Sequence, residues 1–221
     1  MITQTPQSYV IISLMSSRNH LLSQHFLKSP RLALKLIGHS NLKKRDLVLD
    51  IGAGSGVITI ALAKRVREVW AIEPDHQTAE QLRHNLQKYH IENVRIIEQD
   101  FLQIDLPTKP YKVFANPPFH LSAEILYKLL NLTNQDGKIL PKTTSNHLKP
   151  AAIYLILQKQ LALKLISTDR HYTSQLGHQI LHDYNARIRL PLRPTDFTPP
   201  PAVPTVFYEA KLRLPENKSM I

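Results

Sequence analysis

The sequence predicts an α/β fold: a mostly parallel sheet with helices on both faces and an antiparallel strand late in the chain. Three observations carry this expectation. Strand-like and helix-like segments alternate five times, as parallel strands joined by crossover helices require. The strand-like segments are short, continuous apolar runs, the pattern of strands buried on both faces. Two more strand-like segments follow a proline-rich loop, where a strand pair would close the sheet with an antiparallel edge. The 221 residues suffice for one such domain.

The elements follow in order. Leu32 to Ile37 reads as a helix closed by Gly38. Asp46 to Ile51 reads as a buried strand, Gly52 to Gly56 as a turn, and Val57 to Val66 as a helix. Val69 to Glu73 is a second strand, and Pro74 suits the first turn of a helix running to Tyr89. Further strands are expected over 93–98, 111–115 and 151–157, with helices over 121–132 and 158–166. The late strands fall at 186–190 and 206–214, around the proline-rich loop 191–204. Residues 1–17 read as a partly disordered leader, 18–214 as the domain and 215–221 as a short tail. The polar stretch 133–150 is long for a loop inside a compact domain and reads as either a functional flap or a disordered insertion, with the balance slightly towards disorder.

Composition narrows the function. Lys and Arg outnumber Asp and Glu by 28 to 17, giving a net charge of +11. That balance favours a polyanionic partner such as nucleic acid. Cysteine is absent, which excludes a disulfide scaffold, a thiol nucleophile and a zinc–thiolate site. No apolar run approaches the roughly 18 residues of a membrane span. The first 15 residues lack the early positive charges of a signal peptide, so the cytoplasm is the expected location. The eleven histidines show no ligand spacing, and no metal site is expected.

Two motifs carry chemistry. Asp50-Ile51-Gly52-Ala53-Gly54-Ser55-Gly56 joins a strand to a helix, where glycines let the backbone approach a ligand. Glu73 ends the next strand about 20 residues on, where a carboxylate can hold both hydroxyls of a ribose. The Gly-x-Gly-x-Gly spacing argues against a dinucleotide site, leaving an adenosine-containing cofactor. Asp100, followed by Phe101, suits a contact to that adenine's amine. The second motif is Asn116-Pro117-Pro118-Phe119, which follows the apolar run 113–115. Ligands sit at strand ends in open α/β sheets. An amide, a rigid turn and an aromatic ring there make a seat for a planar base with an exocyclic amine.

With Ser23-Gln24-His25-Phe26-Leu27 before these motifs and Phe197-Thr198-Pro199-Pro200-Pro201-Ala202-Val203 after them, the series resembles the rRNA adenine N6-methyltransferases. That family spans the Erm macrolide-resistance enzymes and the small-subunit dimethyladenosine transferases. The resemblance covers roughly 18–214. It implies a seven-stranded Rossmann-like methyltransferase sheet, S-adenosylmethionine as donor and rRNA as substrate for a monomeric enzyme. By position it implies that Gln24, His25, Gly52, Gly54, Gly56, Glu73, Asp100, Phe101 and Asn116 line the cofactor. Asn116, Pro117 and Phe119 would hold the target adenine, and Phe197 would add a second aromatic contact. His25 stands where the family usually has Asn, and Pro117 where Ile or Leu is common.

The expected chemistry is amine activation. The Asn116 side-chain oxygen and the Pro117 carbonyl would accept the two amine hydrogens and aim the nitrogen lone pair at the methyl donor. Phe119 would stack on the base. Arg18, Lys28, Arg31, Lys35, Lys43, Lys44, Arg45, Arg187, Arg189 and Arg193 are candidates to track the RNA backbone. The short tail leans towards an Erm-type enzyme acting on 23S rRNA, with a 16S rRNA dimethyltransferase as the alternative. A DNA adenine or protein glutamine methyltransferase can share Asn-Pro-Pro-Phe, but the two flanking motifs argue against both. A non-catalytic RNA-binding relative is the reading outside enzymology.

Overall fold

The computed structural model describes residues 25–132 and 148–213. Fifteen elements form its frame. They are β1 (Phe26–Leu27), α1 (Pro30–Gly38), β2 (Leu47–Ile51), α2 (Val57–Ala63), β3 (Glu68–Ile72), α3 (His76–Lys88), β4 (Val94–Ile97) and β5 (Lys112–Ala115). Then come α4 (Ser122–Leu129), β6 (Ala152–Gln158), α5 (Lys159–Ile166), α6 (Gln175–Asp183), β7 (Tyr184–Leu192), β8 (Phe197–Thr198) and β9 (Thr205–Leu212). The leader 1–17, the tail 215–221 and most of 133–150 lie outside the described residues, as do Arg18, Ser23 and Gln24.

Seven strands make one sheet in the order β4-β3-β2-β5-β6-β9-β7. The first five are mutually parallel, and β9 runs antiparallel to both β6 and β7. The late strand pair closes the sheet as expected, with the antiparallel β9 internal and β7 at the edge. Burial explains the insertion. β9 is buried at its first six positions, whereas β7 alternates exposed and half-buried residues, as an edge strand tolerates.

Local chemistry sets the helix starts. Ser29 caps α1 by accepting from the Leu32 N–H, with Pro30 in the first turn. Asp75, not Pro74, caps α3 by accepting from the Thr78 N–H at 2.7 Å. Helix α6 was not expected. Its signals are modest, a Ser174 cap and buried Leu176 and Ile180 four residues apart.

The chain runs β2, β3, β4 towards one sheet edge, then returns to place β5 on the other side of β2. The carboxyl ends of β2 and β5 thus form the topological switch point, where such sheets bind ligands. Both chemical motifs emerge there.

Candidate active site

The glycine turn leaves β2 at Ile51 and enters α2. Its geometry demands glycine at two places in particular. Gly54 has φ +56°, and a Cβ there would lie 3.1 Å from the Phe26 ring. Gly56 has φ +96°, and a Cβ there would collide with Leu82. The Gly54 N–H donates to Glu73 Oε2 at 2.9 Å, and the Asp75 N–H donates to Oε1 at 3.1 Å. Glu73 is buried, which raises its pKa, while the two backbone N–H bonds pull the other way. Its carboxylate is thus aimed and desolvated at the end of β3.

Asp50 lies beneath the turn, 1% exposed, and sequence reasoning gave it no role. Its Oδ2 accepts from the Thr59 hydroxyl at 2.6 Å, while Oδ1 has no hydrogen-bond partner. Burial pushes its pKa up to about 7, the Thr59 bond opposes that, and the Glu73 charge adds to it.

Asn116 sits at the end of β5, opposite the turn. Its Nδ2 donates to the His25 carbonyl at 2.6 Å. That bond fixes the amide's orientation and leaves Oδ1 buried without a partner. A buried acceptor left open costs stability, and such an atom calls for a ligand or water.

Two hollows meet at this point, sharing Gly52, Glu73 and Pro118 as a common wall. One, about 520 Å³ to its open mouth, is lined by His25, Phe26, Ser55, Asn116 and Pro117. The other, about 410 Å³, is walled by Ile72, Pro74, Asp100, Phe101 and Leu121. The Asp100 carboxylate accepts from the Leu102 N–H at 2.9 Å, which shapes the turn that carries Phe101. The first hollow offers polar groups and an open acceptor, and the second is a mostly apolar slot suited to a planar ring.

The structure joins the two flanking motifs. β1 pairs antiparallel with β8, Phe26 opposite Thr198 and Leu27 opposite Phe197. The His25 ring donates from Nδ1 to the Pro199 carbonyl at 2.8 Å, and the Lys28 N–H donates to the Asp196 carbonyl at 3.0 Å. This ribbon walls the first hollow and positions the carbonyl that holds Asn116.

One expectation needs correction. Phe197 is fully buried in the core beside Leu27, so it offers no face to a base. Its side chain anchors the ribbon instead. Phe119 does lie beside Asn116, but it is 8% exposed and the His25 ring covers it at 5.2 Å between centroids. A base stacking on Phe119 must share that space with the imidazole. The His25 carbonyl holds Asn116, its ring packs on Phe119, and the residue lines the first hollow.

The cations divide by position. Lys43, Lys44 and Arg45 are exposed but precede β2, at the amino end of the parallel strands and across the sheet from the site. Arg187 donates to the buried Glu209 at 2.8 Å, with Arg189 3.9 Å from the same oxygen. Arg193 pairs with Asp196 at 3.2 Å. Lys28 and Arg31 flank β1 and are exposed on the site's side. Among the described residues His76, Glu80 and Glu98 bring ligand-type atoms within 4.8 Å of one another. Arg83 pairs with both of those carboxylates, so the cluster is an ion-pair network joining α3 to the end of β4.

Lys128 on α4 also escaped sequence reasoning. It is 3% exposed, and its ammonium donates to the carbonyls of Leu102 at 2.9 Å and Ile104 at 2.6 Å. It also lies 5.4 Å from the centre of the Phe101 ring. Burial lowers its pKa to about 8, against the opposing pull of Asp105 and Asp100.

A family model for ribosomal RNA adenine dimethylases matches residues 15–215. The chain belongs to that family. It is 30% identical over 150 residues to the ribosomal RNA small subunit methyltransferase A of Acaryochloris marina, covering 66% of this chain and 52% of that one. It is 37% identical over 119 residues to an rRNA adenine N-6-methyltransferase of Enterococcus faecalis, covering 52% of this chain and 46% of that one. The fold matches a dimethyladenosine transferase from Plasmodium falciparum with a TM-score of 0.71 at 23% identity, over 86% of this chain and 64% of that one. The match thus spans about half the length of these two sequence relatives. Among the described residues no helix of this dimethylase-family chain is long and apolar enough to cross a membrane.

Proposed function

We propose that this chain transfers methyl groups from S-adenosylmethionine to the exocyclic N6 of an adenine in rRNA, and that the target lies in the small subunit. The observation that carries the chemistry is Asn116, with its amide nitrogen tied to the His25 carbonyl and its oxygen buried and open. The residues fit a sulfonium nucleoside donor. Glu73 presents a desolvated carboxylate for ribose hydroxyls, and the Asp100–Phe101 slot suits adenine. Bound, that donor supplies an activated methyl group, so neither a metal nor a strong base is required.

The chain's own residues then act on the amine. Asn116 Oδ1 and the Pro117 carbonyl accept its two hydrogens, which turns the nitrogen lone pair out of the ring plane. The positive charge growing on that nitrogen strengthens both bonds in the transition state. The ribbon of β1 and β8 keeps Asn116 in place, so positioning supplies much of the rate. Bases paired in RNA must be flipped out or already unpaired to reach this depth.

The small-subunit target rests on the relative named for it. The short tail favours neither subunit, because the match spans about half of each sequence relative. Transfer of tritiated methyl groups to isolated 16S and 23S rRNA and to intact subunits tests the proposal. Asn116→Ala is expected to fold and bind donor but lose transfer by a factor of about 100 or more. Full activity in that variant would refute its role, and incorporation confined to 23S rRNA would refute the target.

A further inference from the structure

A groove beside the active site has the chemistry of a second RNA contact. It runs between α1, α2 and the end of α3, and measures about 690 Å³ to its open mouth. Leu34 from α1, Ile60 from α2 and Tyr89 from the end of α3 line it. Ser55 and Val57 line both this groove and the hollow that holds Asn116, so the two are continuous along the glycine turn.

The apolar lining is unusually exposed. Leu34 is 52% and Tyr89 51% exposed, among the most open large hydrophobic side chains of the described residues. Tyr89 closes α3, and His90 follows with φ +52°, so the chain turns away and leaves the ring on the surface. The ammonium of Lys64 lies 6.0 Å from the centre of that ring, and that of Lys88 lies 5.9 Å from it. Among the described residues no acidic side chain lines the groove.

An open aromatic face flanked by cations matches one ligand chemistry closely. Unpaired bases stack on such rings, and the adjoining phosphates need positive charge within reach. A peptide segment would use the apolar floor but has no need of two ammonium groups at the ring.

We propose that this groove seats an unpaired base of the substrate RNA on Tyr89, with the adjoining phosphates against Lys64 and Lys88. The occupant rests on the rRNA reading above. Its position beside the glycine turn lets one strand contact Tyr89 and enter the hollow at Asn116.

The test uses the full chain with a photo-crosslinking phenylalanine analogue at position 89, irradiated with deproteinised 16S rRNA and, separately, with a short unstructured RNA of mixed sequence. Crosslinks to RNA are expected with both. In parallel, Tyr89→Ala should weaken binding of the short RNA by about 5- to 150-fold, the range of one lost base stack, and Tyr89→Phe should restore it. The pair Lys64→Gln and Lys88→Gln lies at the surface and leaves the core intact. It should flatten the salt dependence of binding by up to about 0.7 in log–log slope per lost phosphate contact. Crosslinks only to this chain's residues 1–24 or to a second copy would overturn the proposal, as would unchanged RNA binding in Tyr89→Ala. Methyl transfer without an RNA crosslink would sink the groove alone. A crosslink without methyl transfer would sink the catalytic reading alone.

Discussion

Replacing Lys128 by Met should weaken donor binding from the far side of α4. The lysine touches nothing in the first hollow. It ties down the segment 101–105, whose start forms the slot assigned to the donor's adenine. Methionine keeps the length of the stem and removes the ammonium. Two charge-assisted bonds to carbonyls are lost, each worth about 1.5–3 kcal/mol, and relief of the buried charge offsets part of that. A net loss of about 2–3 kcal/mol at neutral pH follows, read as a shift in urea midpoint at unchanged slope. The freed segment should loosen Asp100 and Phe101, so S-adenosylmethionine affinity by calorimetry should fall about ten-fold, with kcat nearly constant, as for a binding interaction lost equally in ground and transition states. The pH dependence gives an independent reading. Because the folded-state pKa of Lys128 is lowered to about 8, the unfolded chain holds more protons between there and the ordinary lysine value of 10.5. Wild-type stability should therefore rise relative to Lys128→Met as pH increases through that window. A variant within about 0.5 kcal/mol of wild type, with unchanged donor affinity, would refute the positioning role.

Two further outcomes follow from the turn. Gly54→Ala places a Cβ against the Phe26 ring at φ +56°. It should cost about 1–2 kcal/mol of stability and lower donor affinity, and thermal melts with calorimetry check both. For Asp50→Asn, the sign comes from a raised carboxyl pKa. The folded chain holds more protons than the unfolded one between the ordinary 3.8 and about 7. Wild-type stability should therefore fall relative to Asp50→Asn as pH rises through that range, with no further divergence above it. Melting curves from pH 4 to 8 test this, and parallel curves would contradict it.

The sheet was legible because its strands are continuous apolar runs bounded by glycine, proline and charge. All seven strands fall within a few residues of their expected spans. Their order was legible only as far as the parallel rule reaches. Nothing in 186–190 or 206–214 says which strand inserts beside β6, since both are short, mixed and separated by proline. Helix α6 was missed because Gly177 and His178 interrupt a pattern whose apolar face holds few residues. Asp50 and Lys128 were illegible for a different reason. An aspartate in a strand end and a lysine in an amphipathic helix both read as ordinary until burial is known. Their importance comes from lost solvent, which no local pattern records.

Charge shows the same limit. The net charge is a property of the sum, whereas the fold distributes it. Sheet direction puts the run 43–45 at the amino ends of the parallel strands, and Glu209 pairs with Arg187. Lys28 and Arg31 lie at the ribbon, and Lys64 and Lys88 lie beside Tyr89 at the ends of helices that sequence reasoning had treated only as scaffold. The flanking motifs are changed in meaning by the same geometry. Phe197 and His25 are parts of one strap, in which Phe197 is the buried anchor and the His25 carbonyl holds Asn116, while His25 keeps its place in the lining of the first hollow. A substitution at Phe197 should therefore reach the target amine only through Asn116, so its effect on transfer should shrink towards nothing in an Asn116→Ala background, as a double-mutant cycle would measure.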